Sequence, residues 1–510
     1  MFNIFAQNLL YIAFVLLVVC ILPYNLYSQP NPQHICEVRQ INQEFTGIIG
    51  NIDISPNGNR VFYQSTENNL GLNPDGNSEI FMYDIPSDTL TQRTVTPFSQ
   101  SALPSTNSDG SVVAFQSGND LDPLSNNIDG TLEIFYHNVD LSTFTQITNT
   151  SGSDIATANL RPIITPDASR SVFTSGKDLV FGSNTDANRE IFFFDSGVGF
   201  TQVTDTTGGT LGTSNNAGAI SDDGSRVIFR SGLDITGGNP EGSVEFFLFD
   251  EVTGFDQITD TQVETSKATI SGDGETIVIV TKDDLTGNNP DNSREIFVKN
   301  IGSSTITQIT DTPNPTDRSF GVSINTDGTR LAFYSEFDHT GTGKNADGSH
   351  ELFVYDFSLG KFAQITDSSV PLLPPGPNAT DISADGNTIF FETSADLTGD
   401  NPGGEQVLFV ALCASDLDLD GINNEDDECE NSNTDPTVVI DGCSSGVQNF
   451  VSEDGCSILD LIDQIAANAS NHGKLVSEVA KLLNSLKKEG VISGNDKGAI
   501  QTCAASSDLP

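Results

Sequence analysis

Between Gly50 and Leu412, short apolar runs alternate with polar stretches rich in Gly, Asn and Asp, and the alternation repeats. The copy from Ala268 to Thr310 sets out the grammar. "ATISGDG" alternates and ends in Asp273-Gly274, a dipeptide suited to a tight turn between antiparallel strands because Gly tolerates positive φ. "ETIVIVT" is rich in β-branched residues and predicts a second strand. After the polar "DLTGNNPDNS", "REIFVKN" predicts a third strand and "STITQIT" a fourth. The polar loop with its third strand occurs seven times, beginning at Asn69, Asp120, Asp178, Asp234, Asp284, Asp338 and Asp396. The turn recurs at Asn57-Gly58, Asp109-Gly110, Asp223-Gly224, Asp327-Gly328 and Asp385-Gly386, with Asp167-Ala168 as the exception. A Glu opens six of the third strands (Glu79, Glu133, Glu190, Glu245, Glu295, Glu351), and a Gln marks six of the fourth (Gln92, Gln146, Gln202, Gln257, Gln308, Gln364).

Four strands in a unit of roughly 55 residues is the signature of a propeller blade. So small a sheet cannot bury both faces alone, and neighbours in a ring do it. The expected fold is therefore all-β, a seven-bladed β-propeller over residues 36–413. The seventh copy stops after its third strand, "VLFVALC", while "CEVRQINQ" precedes the first blade. Its Arg39-Gln40-Ile41-Asn42 matches the missing Gln-apolar pattern, so this N-terminal strand should complete the last blade and remove the open edge. Closure of that kind brings Cys36 to Cys413 and predicts a disulfide there.

Composition adds compartment and partners. The 510 residues carry a net charge of -48, from 70 acidic and 22 basic residues. Such a surface repels phosphate backbones and excludes nucleic acid as the expected partner. The apolar run from Leu9 to Leu22 fits the core of a signal peptide (residues 1–28, with Ser28 at a cleavable position) better than a bilayer span; an uncleaved anchor is the alternative, and either way the membrane is met only there. Setting aside Cys20 within that run, six cysteines remain, an even number that reads as disulfides in an exported chain: Cys36, Cys413, Cys429, Cys443, Cys456 and Cys503. The expected location is outside the cytoplasm, secreted or in the cell envelope.

The segments "SGDGETIVIVT", "REIFVKN" and "TQIT" resemble the TolB-type, WD40-like propeller repeat. The resemblance covers roughly Gly50 to Leu412 and implies fold far more than function. The chain has no Trp, so the Trp-Asp ending of WD40 repeats is missing.

After Cys413 the pattern changes. In "DLDLDGINNEDDEC", Asp416, Asp418 and Asp420 alternate before Gly421, and Asp427 falls twelfth, the ligand spacing of a Ca²⁺ loop. Ile422 would offer its carbonyl and Asn424 a side chain or bridging water. Calcium is thus the expected cofactor of residues 414–447. The continuation to Cys443 resembles a thrombospondin type 3 repeat, with Asn424 where that family has Asp. The resemblance implies pairing of Cys429 with Cys443. Asp284, Asn288 and Asp291 of the blade loop have no comparable spacing and read as turn chemistry.

From residue 453 to 505 the pattern is helical. Ile458, Leu461, Ile462 and Ile465 mark one helix; Leu475, Val476, Val479, Leu482, Leu483 and Leu486 mark another, with Gly490 as its C-cap. This stretch resembles a helical tail found behind calcium repeats in secreted microbial proteins, and Cys456 and Cys503 bracket it as an expected disulfide. The five histidines show no ligand spacing, and "GCSSG" at Gly442 to Gly446 lies outside the strand-to-helix context that a nucleophile elbow needs. The chain is therefore expected not to be an enzyme. The leading expectation is a non-catalytic binding or scaffold propeller, presented on a calcium-stiffened stalk to a protein or glycan at the cell surface. The alternative is a secreted carbohydrate-active enzyme, a hydrolase or lyase, using carboxylates in the propeller channel.

Overall fold

The computed structural model describes residues 27–28, 36–41 and 49–509, apart from breaks at 69, 98, 153, 211–212, 262–266, 314–317, 344, 369–379, 403, 414–427, 430–431, 434 and 453. The chain divides into two compact units, one spanning Cys36–Cys413 and the other formed chiefly by Ala414–Pro510.

The first unit is a seven-bladed propeller of four-stranded antiparallel sheets. In blade 5 the strands run from the axis outward as Lys267–Ile270, Thr276–Thr281, Glu295–Asn300 and Ile306–Gln308. Blade 7 takes Thr380–Ile382, Thr388–Thr393 and Val407–Cys413 from the C-terminal side and Cys36–Gln40 from the N-terminal side. The closing strand has the register that its sequence predicts. Gln40 sits opposite Phe409, as Gln92 sits opposite Phe81 and Gln257 opposite Phe247. Cys36 faces Cys413, and the two form a disulfide.

Each conserved letter of the repeat has a physical task. The Phe at the centre of a second strand stacks on the Phe opposite it in the third, as in Phe229 and Phe247 (ring centroids 5.8 Å apart) and Phe391 and Phe409 (5.5 Å). Such directly opposed rings contribute about 1 kcal/mol beyond the area that they bury. The remaining apolar side chains fill the space between blades: Ile228, Phe246 and Leu248 of blade 4 pack on Ile270, Ile277 and Phe297 of blade 5. The third-strand Glu is fully buried yet satisfied. Glu245 accepts from Thr259 Oγ1 (2.6 Å), Thr261 N (2.9 Å) and Thr261 Oγ1 (2.9 Å), which ties the outer strand's exit to the third strand's entry. Each outer-strand Gln folds back on the same segment, Gln257 Nε2 donating to Thr259 O at 2.9 Å.

A second set of polar latches lies on the face of the Asp-Gly turns. Arg170 Nε pairs with Asp195 at 2.5 Å in its own blade, and its Nη1 donates to Gly224 O of the next blade's turn at 2.9 Å. Arg226 repeats this with Asp250 (2.7 Å) and Gly274 O (3.0 Å). The turn glycines hold left-handed backbone, Gly274 at φ 74°, and Ala168 adopts φ 58° where the sequence departs from Gly.

In the second unit a hairpin (Thr437–Ile440 with Cys443–Gln448) and three helices share one core: α1, Ile458–Asn468; α2, His472–Glu489; and α3, Gly494–Ser506. Val438, Ile440 and Val447 of the hairpin pack with Ile458, Leu475, Leu483 and Ile500. Gly490 caps α2 in the left-handed conformation after Lys487 and Lys488, as the pattern predicts. Here the expected disulfides need correction. Cys429 pairs with Cys456 and Cys443 with Cys503, in place of Cys429–Cys443 and Cys456–Cys503. The hairpin that carries Cys443 packs on the core that also holds Cys503, while Glu428 N donates to Asp454 O and draws Cys429 to Cys456.

Candidate functional site

The calcium ligands expected from sequence, Asp416, Asp418, Asp420, Ile422, Asn424 and Asp427, lie outside the described residues, as does the apolar run from Leu9 to Leu22. The blade loops are described, and their acidic and amide groups serve the loops themselves. Asp284 Oδ1 accepts from Asn289 N at 2.9 Å. Asn289 Nδ2 donates to Ser293 O, and Ser293 Oγ reaches Asn289 Oδ1, Asp291 Oδ1 and Glu295 Oε1. The loop is a self-contained cage of hydrogen bonds that hands its strand the buried Glu. The "GCSSG" segment is part of a hairpin, with Ser445 Oγ donating to Val438 O. The ring nitrogens of His472 face two carbonyl acceptors, Leu509 O from Nδ1 (3.1 Å) and Ala505 O from Nε2 (3.2 Å), in a structural position.

The channel along the propeller axis is different. Its wall is made by the inner strands, and one residue of each sits at a common level: Asp53, Ser105, Ile163, Ala219, Thr269, Ser323 and Asp381 each pair with the third residue of the neighbouring second strand. At this level side chains latch one blade to the next. Asp53 Oδ2 accepts from Thr106 N (2.6 Å), Ser105 Oγ from Ile164 N (3.2 Å), and Asp381 Oδ2 from Ile54 N (2.8 Å); Ser323 Oγ donates to Asp381 Oδ1 (2.6 Å). The two aspartates also bear on each other. Burial, then the repulsion of Asp381, pushes the Asp53 carboxyl well above the usual carboxylate range. Burial raises Asp381 too, against the hydrogen bonds that it accepts and the nearby Lys267.

On the loop side of this ring the channel widens into a cavity of about 300 Å³. Arg161 and Lys267 line it, together with Leu103, Pro104 and Pro162. Desolvation lowers Lys267 to about 8, although Asp381 holds it up. Arg161 sits in a β-bulge with φ 56°, its peptide N donating to Gln116 Oε1 at 3.1 Å, and its side chain is exposed. Bulges also interrupt the inner strands at Asn51 (φ 48°) and Leu103 (φ 56°). A bulge re-aims the side chain that it carries, and left-handed backbone at a non-Gly residue is kept where the surroundings over-determine it. Behind the wall, Glu392 is buried at 2 % exposure, and desolvation raises its carboxyl to about 7.

Sequence reasoning passed over Arg161, Lys267, Asp53, Asp381 and Glu392, because the repeat directs attention to what recurs. The available signal was the reverse. At the fifth position of the second strand the blades carry Gln64, Gln116, Thr174, Arg230, Val280, Tyr334 and Glu392, six residue types in seven blades.

No family model and no curated protein matches the chain. Solved structures do. Oligogalacturonate lyase from Vibrio parahaemolyticus is 12% identical over 74% of this chain and 93% of that one, with a TM-score of 0.49. TolB from Acinetobacter baumannii is 15% identical over 62% and 78%, TM-score 0.35. A prolyl endopeptidase is 14% identical over 73% of this chain and 48% of that one, TM-score 0.44. At these identities the likeness concerns the propeller fold alone. The expectation that the chain is not an enzyme is corrected on this finding, because the solved structures that it resembles include a lyase and an endopeptidase.

Proposed function

We propose that the chain is an exported propeller, secreted or held in the cell envelope, that binds a ligand (a glycan or a protein segment) at the channel mouth on the side of the long blade loops. In this reading a calcium-stabilised segment around Asp416 to Asp427 links the propeller to the helical module. One observation carries the proposal. Repeated polar residues are consumed by the blades' own hydrogen bonds, whereas the 300 Å³ cavity gathers Arg161 and Lys267, basic residues that recur at the same place in no other blade and whose side chains make no hydrogen bond among the described residues. Three disulfides support export. A screen of glycans and protein fragments against purified protein, with and without Ca²⁺, tests it; the expected hit is lost when a bulky residue replaces Ser105 or Thr269 in the channel.

A second reading, a secreted carbohydrate-active enzyme acting in the same cavity, is favoured by one specific observation: the like-charge pair Asp53 and Asp381 beside Lys267. A proton-sharing carboxylate pair is one way to supply acid and base at neutral pH. Turnover of bound glycan by the wild type, and its loss in Asp381→Asn with binding retained, would select this reading.

A further inference from the structure

We propose that the loop side of blades 1–3 carries a second docking surface, apart from the channel mouth, for a segment of a partner protein whose apolar side chains are set among Lys and Arg. The propeller leaves large apolar side chains in water unevenly. Leu70 and Leu72 stand on the long loop of blade 1, Leu124 (93 % exposed) and Ile128 (85 %) on that of blade 2, Phe181, wholly exposed, on that of blade 3, and Ile155 on the link between blades 2 and 3. Blades 4–7 expose no large apolar side chain on this side among the described residues. Yet the loops share one scaffold. Asn127 Nδ2 donates to Thr131 O (2.9 Å) and Asn184 Nδ2 to Asn188 O (2.9 Å), as Asn239 Nδ2 does to Ser243 O (2.8 Å) in blade 4. At the tip of that scaffold blades 4–7 carry Thr236-Gly237, Thr286-Gly287, Thr340-Gly341 and Thr398-Gly399. The loop itself therefore needs no apolar tip, and apolar area kept in water on three consecutive blades marks a contact surface.

The surface is continuous and fixed in place. Asn77 Nδ2 donates to Thr96 O (2.6 Å) and Asn119 Nδ2 to Ser99 O (3.0 Å), which ties the loops of blades 1 and 2 to the link between them. Lys177 Nζ donates to Ser151 O (2.7 Å) and Arg189 Nη2 to Ile155 O (2.8 Å), which ties the next link to blade 3. Asp122 Oδ1 accepts from Leu124 N (3.0 Å), and Asp178 Oδ2 accepts from Gly182 N (2.8 Å) beside Phe181. Side chains held this way lose little freedom when a partner covers them. Charge decides the partner. Exposed carboxylates stand among the apolar tips: Asp75, Asp120, Asp129 and Asp186. The cations beside them are engaged already, Lys177 and Arg189 at those main-chain oxygens, with Asp154 also acting on Arg189. An apolar surface studded with carboxylates, on a chain of net charge -48, favours a basic segment and draws it in over distance. The same field repels an anionic membrane, and a second copy would bring these carboxylates against their like.

Fluorescence anisotropy on the full chain tests this with three labelled peptides: an amphipathic helix of Leu and Lys, the same helix with Glu for Lys, and a Lys peptide of equal charge with Ser for Leu. The Leu-Lys peptide should bind with affinity that falls as salt rises, and the other two should bind at least about tenfold more weakly. Leu124→Thr with Phe181→Thr, which gives the tips the residue that blades 4–7 carry, should weaken the Leu-Lys peptide about tenfold or more with Tm unchanged, because both side chains are exposed. Val252→Thr, an equally exposed apolar residue on the turn side of blade 4, should change nothing. Equal binding of the Leu-Lys and Lys-Ser peptides would reduce the surface to general charge and overturn the proposal. Equal binding to wild type and the Leu124/Phe181 variant would overturn the site. Preference for the Leu-Glu peptide, flotation with vesicles of neutral or anionic lipid that the variant loses, or sedimentation of the wild type as a dimer that the variant loses would each overturn the basic partner, the last two in favour of a lipid surface and of a second copy.

Discussion

Glu392→Gln should make the protein more stable above neutral pH and leave it unchanged in mild acid. Glu392 lies on the second strand of blade 7, 2 % exposed, and among the described residues no cation or hydrogen-bond donor meets its carboxylate; Tyr334 Oη donates to its main-chain oxygen instead, at 2.7 Å. Desolvation alone raises its carboxyl from 4.5 to about 7. The folded state thus binds a proton that the unfolded state releases between those values. Stability from this group is fully present below about pH 4.5 and is lost as pH rises through 7. A shift of about 2.5 units at 1.36 kcal/mol each gives about 3 kcal/mol. Gln keeps the shape and carries no charge, so the difference between variant and wild type should grow from zero near pH 4.5 to about 3 kcal/mol at pH 8. For a unit of roughly 380 residues, with an unfolding entropy of about 2 cal/mol/K per residue, this is about 4 °C in Tm. Burial also raises Glu79, Glu133, Glu190 and Glu351, but these titrate in both proteins and cancel in the difference. Calorimetric melting at half-unit steps from pH 4.5 to 8.5 is the assay. Parallel curves, or a variant less stable at pH 8, would show that the ionised carboxylate has a partner and that the account of this wall is wrong.

Three further outcomes are expected. Replacing Cys36 and Cys413 with Ala opens a loop spanning a sequence separation of 377, and chain entropy sets the loss at up to about 6 kcal/mol; an unchanged denaturation midpoint would mean that strand pairing alone closes the ring. Ala168→Gly relieves left-handed backbone at φ 58° and should stabilise the propeller by about 1 kcal/mol, read as a rise in Tm, whereas a fall would show that the turn does not store that strain. Hydrogen exchange of residues 416–443 should slow with Ca²⁺ and lose that response in Asp418→Ala and Asp420→Ala; equal exchange with and without chelator would remove calcium from the linker.

The propeller was legible because each recurring letter reports one local task. Asp-Gly marks a turn, Glu marks a buried acceptor for two Thr hydroxyls, and Gln fixes register so tightly that Gln40 located the closing strand from across the chain. Connectivity in the second unit was not legible, since cysteine spacing says nothing of which elements share a core. The hairpin packs with the helices, and this contact decides the pairing of Cys443 with Cys503. Helix α3 was missed as well. "GNDKGAIQTCAAS" has no apolar stripe, and its signal was the capping box of Ser493 and Asp496. The channel site was hidden for a third reason. Arg161 and Lys267 acquire meaning only when seven inner strands converge, and no single repeat contains the site.

The most direct test is a crystal structure of the protein grown with a glycan found by the binding screen. The account predicts the ligand in the channel mouth, in contact with Arg161 and Lys267. A ligand seated on the outer blade loops or on the helical module, with the mouth empty, would contradict it.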